Sequence, residues 1–204
     1  AEIVAKSNPD GYTLFMATYG AMSAVPALHK NVSYDVVSDF TPITATGKFS
    51  YFIFVHPSVP AKTLPELIRY AHSHPGQINY ASGGNGTSQH LAAELLRVTT
   101  KISVVHVPYK GAAPAMVDLI GGQLAFMFNN TLEVLPYVKA GRLRALGISS
   151  AKRSAAASAI PTIAENGMPG FDSVTWFGVL APTGTPRDII GKLSGELRRI
   201  VQTK

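Results

Sequence analysis

The chain has 204 residues, 46% of them hydrophobic and only 15% charged, which excludes a disordered protein and leaves room for one large domain or two small ones. It has no cysteine, which excludes disulfides, thiolate chemistry and sulfur-based zinc sites, and no apolar run approaches the roughly 18 residues of a membrane span. The formal charge of +6 is scattered, with modest gatherings at Lys139–Arg144 and Arg187–Arg199, so it reads as a basic solvated surface that collects small anions rather than as a nucleic-acid stripe.

The first residues, Ala1 to Asn8, read as the last turns of a helix closed by Pro9-Asp10-Gly11, without a capping residue before them and without a signal-peptide pattern. A start inside a helix suggests a chain that lacks its true N-terminal part. Tyr12–Ala17 is a strand candidate and Ala21–His29 a short helix. Thr41–Thr46 and Phe49–Val55 read as two strands separated by Gly47, the second rich in aromatic and β-branched residues. Thr63-Leu-Pro-Glu66 opens a helix: Thr63 caps it, Glu66 completes a capping box, and Pro65 sits in the first turn. It stops at Pro75-Gly76.

From Ile78 to Ile148 strands and helices alternate. The strands are Ile78–Ala81, Ser103–Val107, Leu124–Phe128 and Arg144–Ile148. The helices run from His90 to about Thr99, from Ala112 to Ile120 and from Leu132 to Lys139. That order implies a mainly parallel sheet covered on both faces. Ligands bind beyond the carboxyl ends of such strands, so the loops Ser82–Ser88, Pro108–Gly111 and Asn129–Thr131 are expected to open on one crevice. Further on, Ile160–Gly167 reads as a short helix, Val174–Leu180 as a strand carrying the only tryptophan, Trp176, and Thr185-Pro186 as the cap of a last helix reaching about Val201.

The chemistry concentrates in Ser82-Gly-Gly-Asn-Gly-Thr-Ser88. A strand, a glycine loop and a helix start aim several backbone N–H groups at one point, and an anion is the natural occupant. A plain tight turn is the competing reading. No lysine follows the last glycine as in a Walker loop, and Gln89 stands where a dinucleotide fingerprint needs a small residue. His90 and Glu94, four apart, form either a solvent-facing pair or a ligand-facing histidine; no second cluster supports a metal. Ser88 or Ser82 with His90 would make a serine hydrolase, but Gly-x-Ser-x-Gly is missing. Asn129-Asn130 offers amide donors and acceptors to the crevice, or serves as turn chemistry.

Several runs carry a family resemblance. They are Tyr80-Ala-Ser-Gly-Gly-Asn-Gly-Thr-Ser-Gln-His-Leu91, Val107-Pro-Tyr-Lys-Gly-Ala-Ala-Pro-Ala115, Asp118-Leu-Ile-Gly-Gly-Gln123 and Met127-Phe-Asn-Asn130. With Asn8-Pro-Asp-Gly-Tyr-Thr-Leu14, Pro161-Thr-Ile-Ala-Glu-Asn-Gly167 and Ala181-Pro-Thr-Gly-Thr-Pro186, they resemble the Bug-type solute-binding proteins, receptors of tripartite tricarboxylate transporters. The resemblance spans essentially the whole chain. It implies an α/β, two-lobed periplasmic binding-protein fold of type II with mainly parallel sheets and the ligand in the interlobe cleft. Residues 1–56 would form part of lobe 1, 57–147 lobe 2, and 148–204 the return to lobe 1. It implies a periplasmic, monomeric receptor without catalysis, cofactor, metal or nucleic acid. The receptor would capture a small mono-, di- or tricarboxylate, an aromatic acid or an acidic amino acid and deliver it to a membrane permease. Carried over by position, Ser82, Gly86, Thr87, Ser88 and His90 would line one side of the site, and Asn129 or Asn130 would reach in from the neighbouring strand end. Many relatives carry Asp where this chain has Asn129, and the amide favours a diacid. Relatives begin with a strand and a Pro- and Gly-rich loop that form the opposing half of the grip; that segment is not in this sequence.

Overall fold

The computed structural model describes residues 1–203. The chain separates into two compact units, Ala1–Phe49 with the chain from Thr175 onward, and Ser50–Val174. These boundaries fall at 49/50 and 174/175, where the sequence reading placed them at 56/57 and 147/148.

In the first unit β1 (Phe15–Thr18) pairs antiparallel with β7 (Val174–Pro182), Phe15 opposite Leu180 and Thr18 opposite Phe177. The long strand β2 (Phe40–Val55) contributes its first half to this unit. The expected break at Gly47 does not occur. A Cβ there would lie 2.7 Å from the Phe49 ring, so the missing side chain lets that ring fold over the strand, where it meets Phe177 edge-on at 5.5 Å. One small core joins Ala17, Phe40 and Leu180; another joins Ile43, Val179 and Ala181 to Leu193 and Leu197 of α7 (Arg187–Gln202). The helix expected at Ala21–His29 is a π-helical turn, Gly20–Ala24, running into a four-residue α2, Val25–Leu28; α1 is Glu2–Ala5.

The second unit holds β3 (Ile78–Ser82), β4 (Val104–Pro108), β5 (Phe126–Asn130) and β6 (Arg144–Ile148). β3 pairs parallel with both β4 and β5. β5 and β6 each pair antiparallel with the second half of β2, so all four strands run the same way and β2 is inserted against them. β2 is buried on both faces, as a central strand must be: Ile53 and Val55 enter one core with Leu64, Leu67, Tyr80, Leu96 and Phe126, while Phe52 and Phe54 enter the other with Ala81, Leu119 and Met127. The helices are α3 (Leu64–Ser73), α4 (Ser88–Thr100), α5 (Ala112–Ile120) and α6 (Thr131–Lys139). Thr63 Oγ1 caps α3 by accepting from Glu66 N at 3.3 Å; the Glu66 carboxylate reaches one residue further back than a capping box, to Lys62 N at 2.7 Å.

Residues 149–173 stay with this unit because they are bonded to it. Tyr51 N donates to Ser149 Oγ at 2.9 Å, the Ser149 hydroxyl donates to Ser173 O, and Thr162 bridges Ile148 in parallel. The helix expected at Ile160–Gly167 is a turn instead. Strand pairing at Thr162 takes the backbone out of helical conformation, and Thr162 Oγ1 accepts from Glu165 N at 3.0 Å.

Candidate functional site

Strand β3 ends at Ser82 and α4 starts at Ser88, and the seven-residue stretch from Ser82 to Ser88 turns on two glycines with positive φ, Gly84 at 132° and Gly86 at 75°. Three of its groups converge on the Gly84 carbonyl: it accepts from Ser82 Oγ at 3.0 Å, Thr87 Oγ1 at 2.8 Å and Thr87 N at 3.3 Å. Thr87 is also the N-cap, its Oγ1 accepting from His90 N at 3.4 Å. The loop is therefore closed on itself, and it leads directly into the N-terminal end of α4, where the helix dipole is positive.

The three loops leaving β3, β4 and β5 are bonded together. Tyr109 N donates to Ser82 O and Gly111 N to Gly83 O, each at 3.0 Å. Gln89 Nε2 donates to Asn129 Oδ1 at 2.9 Å, joining the β3 loop to the end of β5. Tyr109 is fixed further by donating its hydroxyl to Asp118 at 2.5 Å, a bond that pushes its pKa up to about 12.

Behind the loop four rings stack in series: Phe126 on Tyr80 at 5.4 Å, Tyr80 on His106 at 4.8 Å, and His106 on His90 at 4.2 Å, all within 23° of parallel. The two imidazoles hold opposite ends of the loop. His106 Nε2 lies 2.7 Å from Ser82 Oγ, and His90 Nδ1 accepts from Gly86 N at 3.2 Å. Since Ser82 spends its proton on Gly84 O, Nε2 of His106 carries the hydrogen of that contact. Tyr80 donates to Glu94 at 2.7 Å, and Arg97 pairs with the other Glu94 oxygen at 2.8 Å.

Burial lowers the pKa of both histidines; the neighbouring His90 lowers His106 further, and Glu94 pulls each of them back up. Burial alone would raise Glu94, but hydrogen bonds from Arg97 and Tyr80 and the charges of Arg97 and His90 leave it below the usual carboxylate value. Histidines depressed in the folded state bind fewer protons there than in the unfolded chain. Stability from this source is complete above the ordinary histidine pKa of about 6.5 and is lost as pH falls through the lowered values. We expect the melting temperature to drop between pH 7 and pH 5. His106→Gln with His90→Asn keeps hydrogen-bonding atoms near Nε2 and Nδ1 without a titrating ring, and should flatten that slope; an unchanged slope would assign it elsewhere.

The structure thus places Ser82, Gly86, Thr87, Ser88 and His90 together on one loop and helix start, with Asn129 and Asn130 at the adjoining strand end. It also gives several of them bonds within the protein. Ser82 is fully buried. Asn129 is 1% exposed, and Asn130 is the N-cap of α6, accepting from Glu133 N at 3.0 Å. The hydrolase pairing of Ser82 with His90 is not formed; Ser82 meets His106, and among the described residues no carboxylate is hydrogen-bonded to His106. Nor is there, among the described residues, a group of three or more metal-ligating side chains, or a helix long and apolar enough to cross a membrane.

Two residues of the site were not singled out from sequence: Gln89 and His106. Gln89 had a signal, since it shares the buried face of α4 with Ala92, Ala93 and Leu96, and a polar group on a buried face needs partners. His106 had none, because its place opposite Tyr80 is set by strand register.

A sequence profile of the tripartite tricarboxylate transporter family receptor matches residues 1–203. The chain belongs to this receptor family. Among its relatives is Protein BugT of Bordetella pertussis, 36% identical over 204 residues, which cover 100% of this chain and 63% of that protein. The chain thus spans about three fifths of the curated relatives it matches. Among solved structures, R. palustris Rpa4515 with adipate superposes with a TM-score of 0.93 at 33% identity, covering 100% of this chain and 68% of that one. MatC from Rhodopseudomonas palustris with bound malate gives 0.90 at 30% identity, covering 100% and 69%. Similarity at this level carries the two-lobed α/β periplasmic binding-protein architecture.

Proposed function

We propose that this protein is an extracytoplasmic receptor that captures a small carboxylate as a monomer, without catalysis, and delivers it to the membrane permease of a tripartite transporter. The observation that carries this reading is the closed glycine loop from Ser82 to Ser88, which leads into the N-terminal end of α4. A carboxylate there meets the positive end of a helix dipole without needing a charged side chain. Gly86, Thr87, Ser88 and His90 surround it, and Ser82, Asn129 and Asn130 support the loop from the strand ends. The adipate and malate held by two similar receptors make a dicarboxylate the first class to test. The excess of positive charge in the chain favours anion collection.

The test is thermal denaturation with adipate, malate, acetate and citrate. A ligand bound only by the folded state stabilises it by about 2.7 kcal/mol at a hundredfold excess over Kd. A saturable upward shift with one or both dicarboxylates is the expected result. Melting curves that none of the four acids moves would overturn the proposal.

A further inference from the structure

Gln89, Asn129 and Glu133 form a one-way chain of hydrogen bonds. Gly83 N donates to Gln89 Oε1 at 2.9 Å, Gln89 Nε2 donates to Asn129 Oδ1 at 2.9 Å, and Asn129 Nδ2 donates to Glu133 Oε2 at 3.1 Å. The direction is dictated from the loop end. A backbone N–H can only donate, so Gln89 turns its oxygen to Gly83 and its NH2 to Asn129. Asn129 must then offer its oxygen to Gln89 and its NH2 to Glu133, whose carboxylate only accepts. Asn130 N, 2.8 Å from Asn129 Oδ1, imposes the same orientation independently, and Asn130 Nδ2 closes the far end on Glu133 Oε1 at 2.7 Å. Gln89 is 9% and Asn129 1% exposed, so neither amide can exchange these partners for water.

We propose that Gln89 is a positioning residue that locks the Ser82–Ser88 loop to the end of β5 through Asn129, and that Asn129 acts on the ligand only through this lock. The proposal rests on the carboxylate-binding reading of the loop. Its consequence is that the identity of residue 129 is coupled to residue 133 rather than to the charge of the ligand. Asn129→Asp alone sets two carboxylates against each other across the 3.1 Å contact. Glu133→Gln alone brings an NH2 group against that of Asn129 or, rotated, against that of Asn130. Combined, they exchange acid and amide. The carboxylate introduced at position 129 accepts from Gln89, from Asn130 N and from the new NH2 at position 133, while the oxygen at position 133 accepts from Asn130 Nδ2. Every bond of the chain survives, one of them reversed, and the net charge is unchanged.

The experiment is a double-mutant cycle on Asn129→Asp and Glu133→Gln, read by adipate affinity from calorimetry and, without ligand, by hydrogen exchange of the Gly83 amide. Each single variant should weaken adipate binding about tenfold, the loss expected for one charge-assisted hydrogen bond. Each should also speed Gly83 exchange. The double variant should return both readouts to within about threefold of the wild type. A double variant as weak as Asn129→Asp would mean that residue 129 reads the ligand directly, and unchanged single variants would mean that the chain of bonds positions nothing; either result overturns the proposal. Wild-type protein that ignores adipate counts against the carboxylate reading alone, because Gly83 exchange across the four proteins still decides the lock.

Discussion

Gly84→Ala is expected to weaken carboxylate binding about a hundredfold while leaving the protein folded. Gly84 sits at φ 132°, a region that residues with a side chain rarely enter, and its Cβ would stand 3.1 Å from Tyr109 O. That carbonyl cannot retreat easily, since Tyr109 is bound through its own N–H to Ser82 O and through its hydroxyl to Asp118. Relief must come from the loop, and the Gly84 carbonyl is where the loop is closed by Ser82 and Thr87. Backbone strain of this kind costs roughly 1–3 kcal/mol, the upper end of which is about a hundredfold in Kd. Gly76→Ala is the matched control. It too has positive φ, 73°, but a Cβ there meets nothing within 4 Å. It should cost about 1 kcal/mol of stability and leave adipate affinity unchanged. Calorimetry on the two variants gives the comparison, and equal affinities would remove the loop from the grip.

What could be read from the sequence follows the range of the forces involved. The helix start at Thr87–Ser88, the Thr63 cap, the β-branched run of β4 and the short strand segments of β3 and β6 are local, and each lies within a residue or three of its expected place. The parallel direction of those strands with β5 followed from the alternation of strands and helices. The insertion of β2 against them did not, because Phe52 and Phe54 look the same whichever neighbours they pair with. Gly47 misled for a related reason: its lack of a side chain accommodates Phe49, a contact that appears only once the chain is folded. At the site, the pattern located the loop but not the direction of its hydroxyls. Ser82 turns inward to Gly84 and His106, and Asn129 turns to Gln89 and Glu133. Asn130 caps α6, so for this residue the turn-chemistry reading describes a bond that is present. Whether a polar residue at a strand end serves the ligand or the scaffold depends on which partners long-range packing brings within 3 Å, and sequence spacing carries no record of that.

Phe126→Ala should produce the largest loss of stability, about 3–5 kcal/mol, because a fully buried phenylalanine leaves both its transfer energy and a cavity behind. Phe126 is 1% exposed in the core that joins Ile53, Leu64 and Leu96. Its ring also begins the stack that runs through Tyr80 and His106 to His90. With that ring gone, Tyr80 loses its support on one face while its hydroxyl stays bound to Glu94. The cheapest relaxation is a tilt of Tyr80 into the cavity, which draws His106 from Ser82 and loosens His90 against Gly86. Phe40→Ala separates the two consequences. Phe40 is 5% exposed, but it belongs to the core of the other unit, with Ala17 and Leu180. Both variants should melt well below the wild type. Measured at a temperature where both are still folded, only Phe126→Ala should lose adipate affinity, by about tenfold if the tilt disrupts one of the two loop bonds made by the imidazoles. Equal affinities in the two variants would mean that the stack supports the core and not the loop.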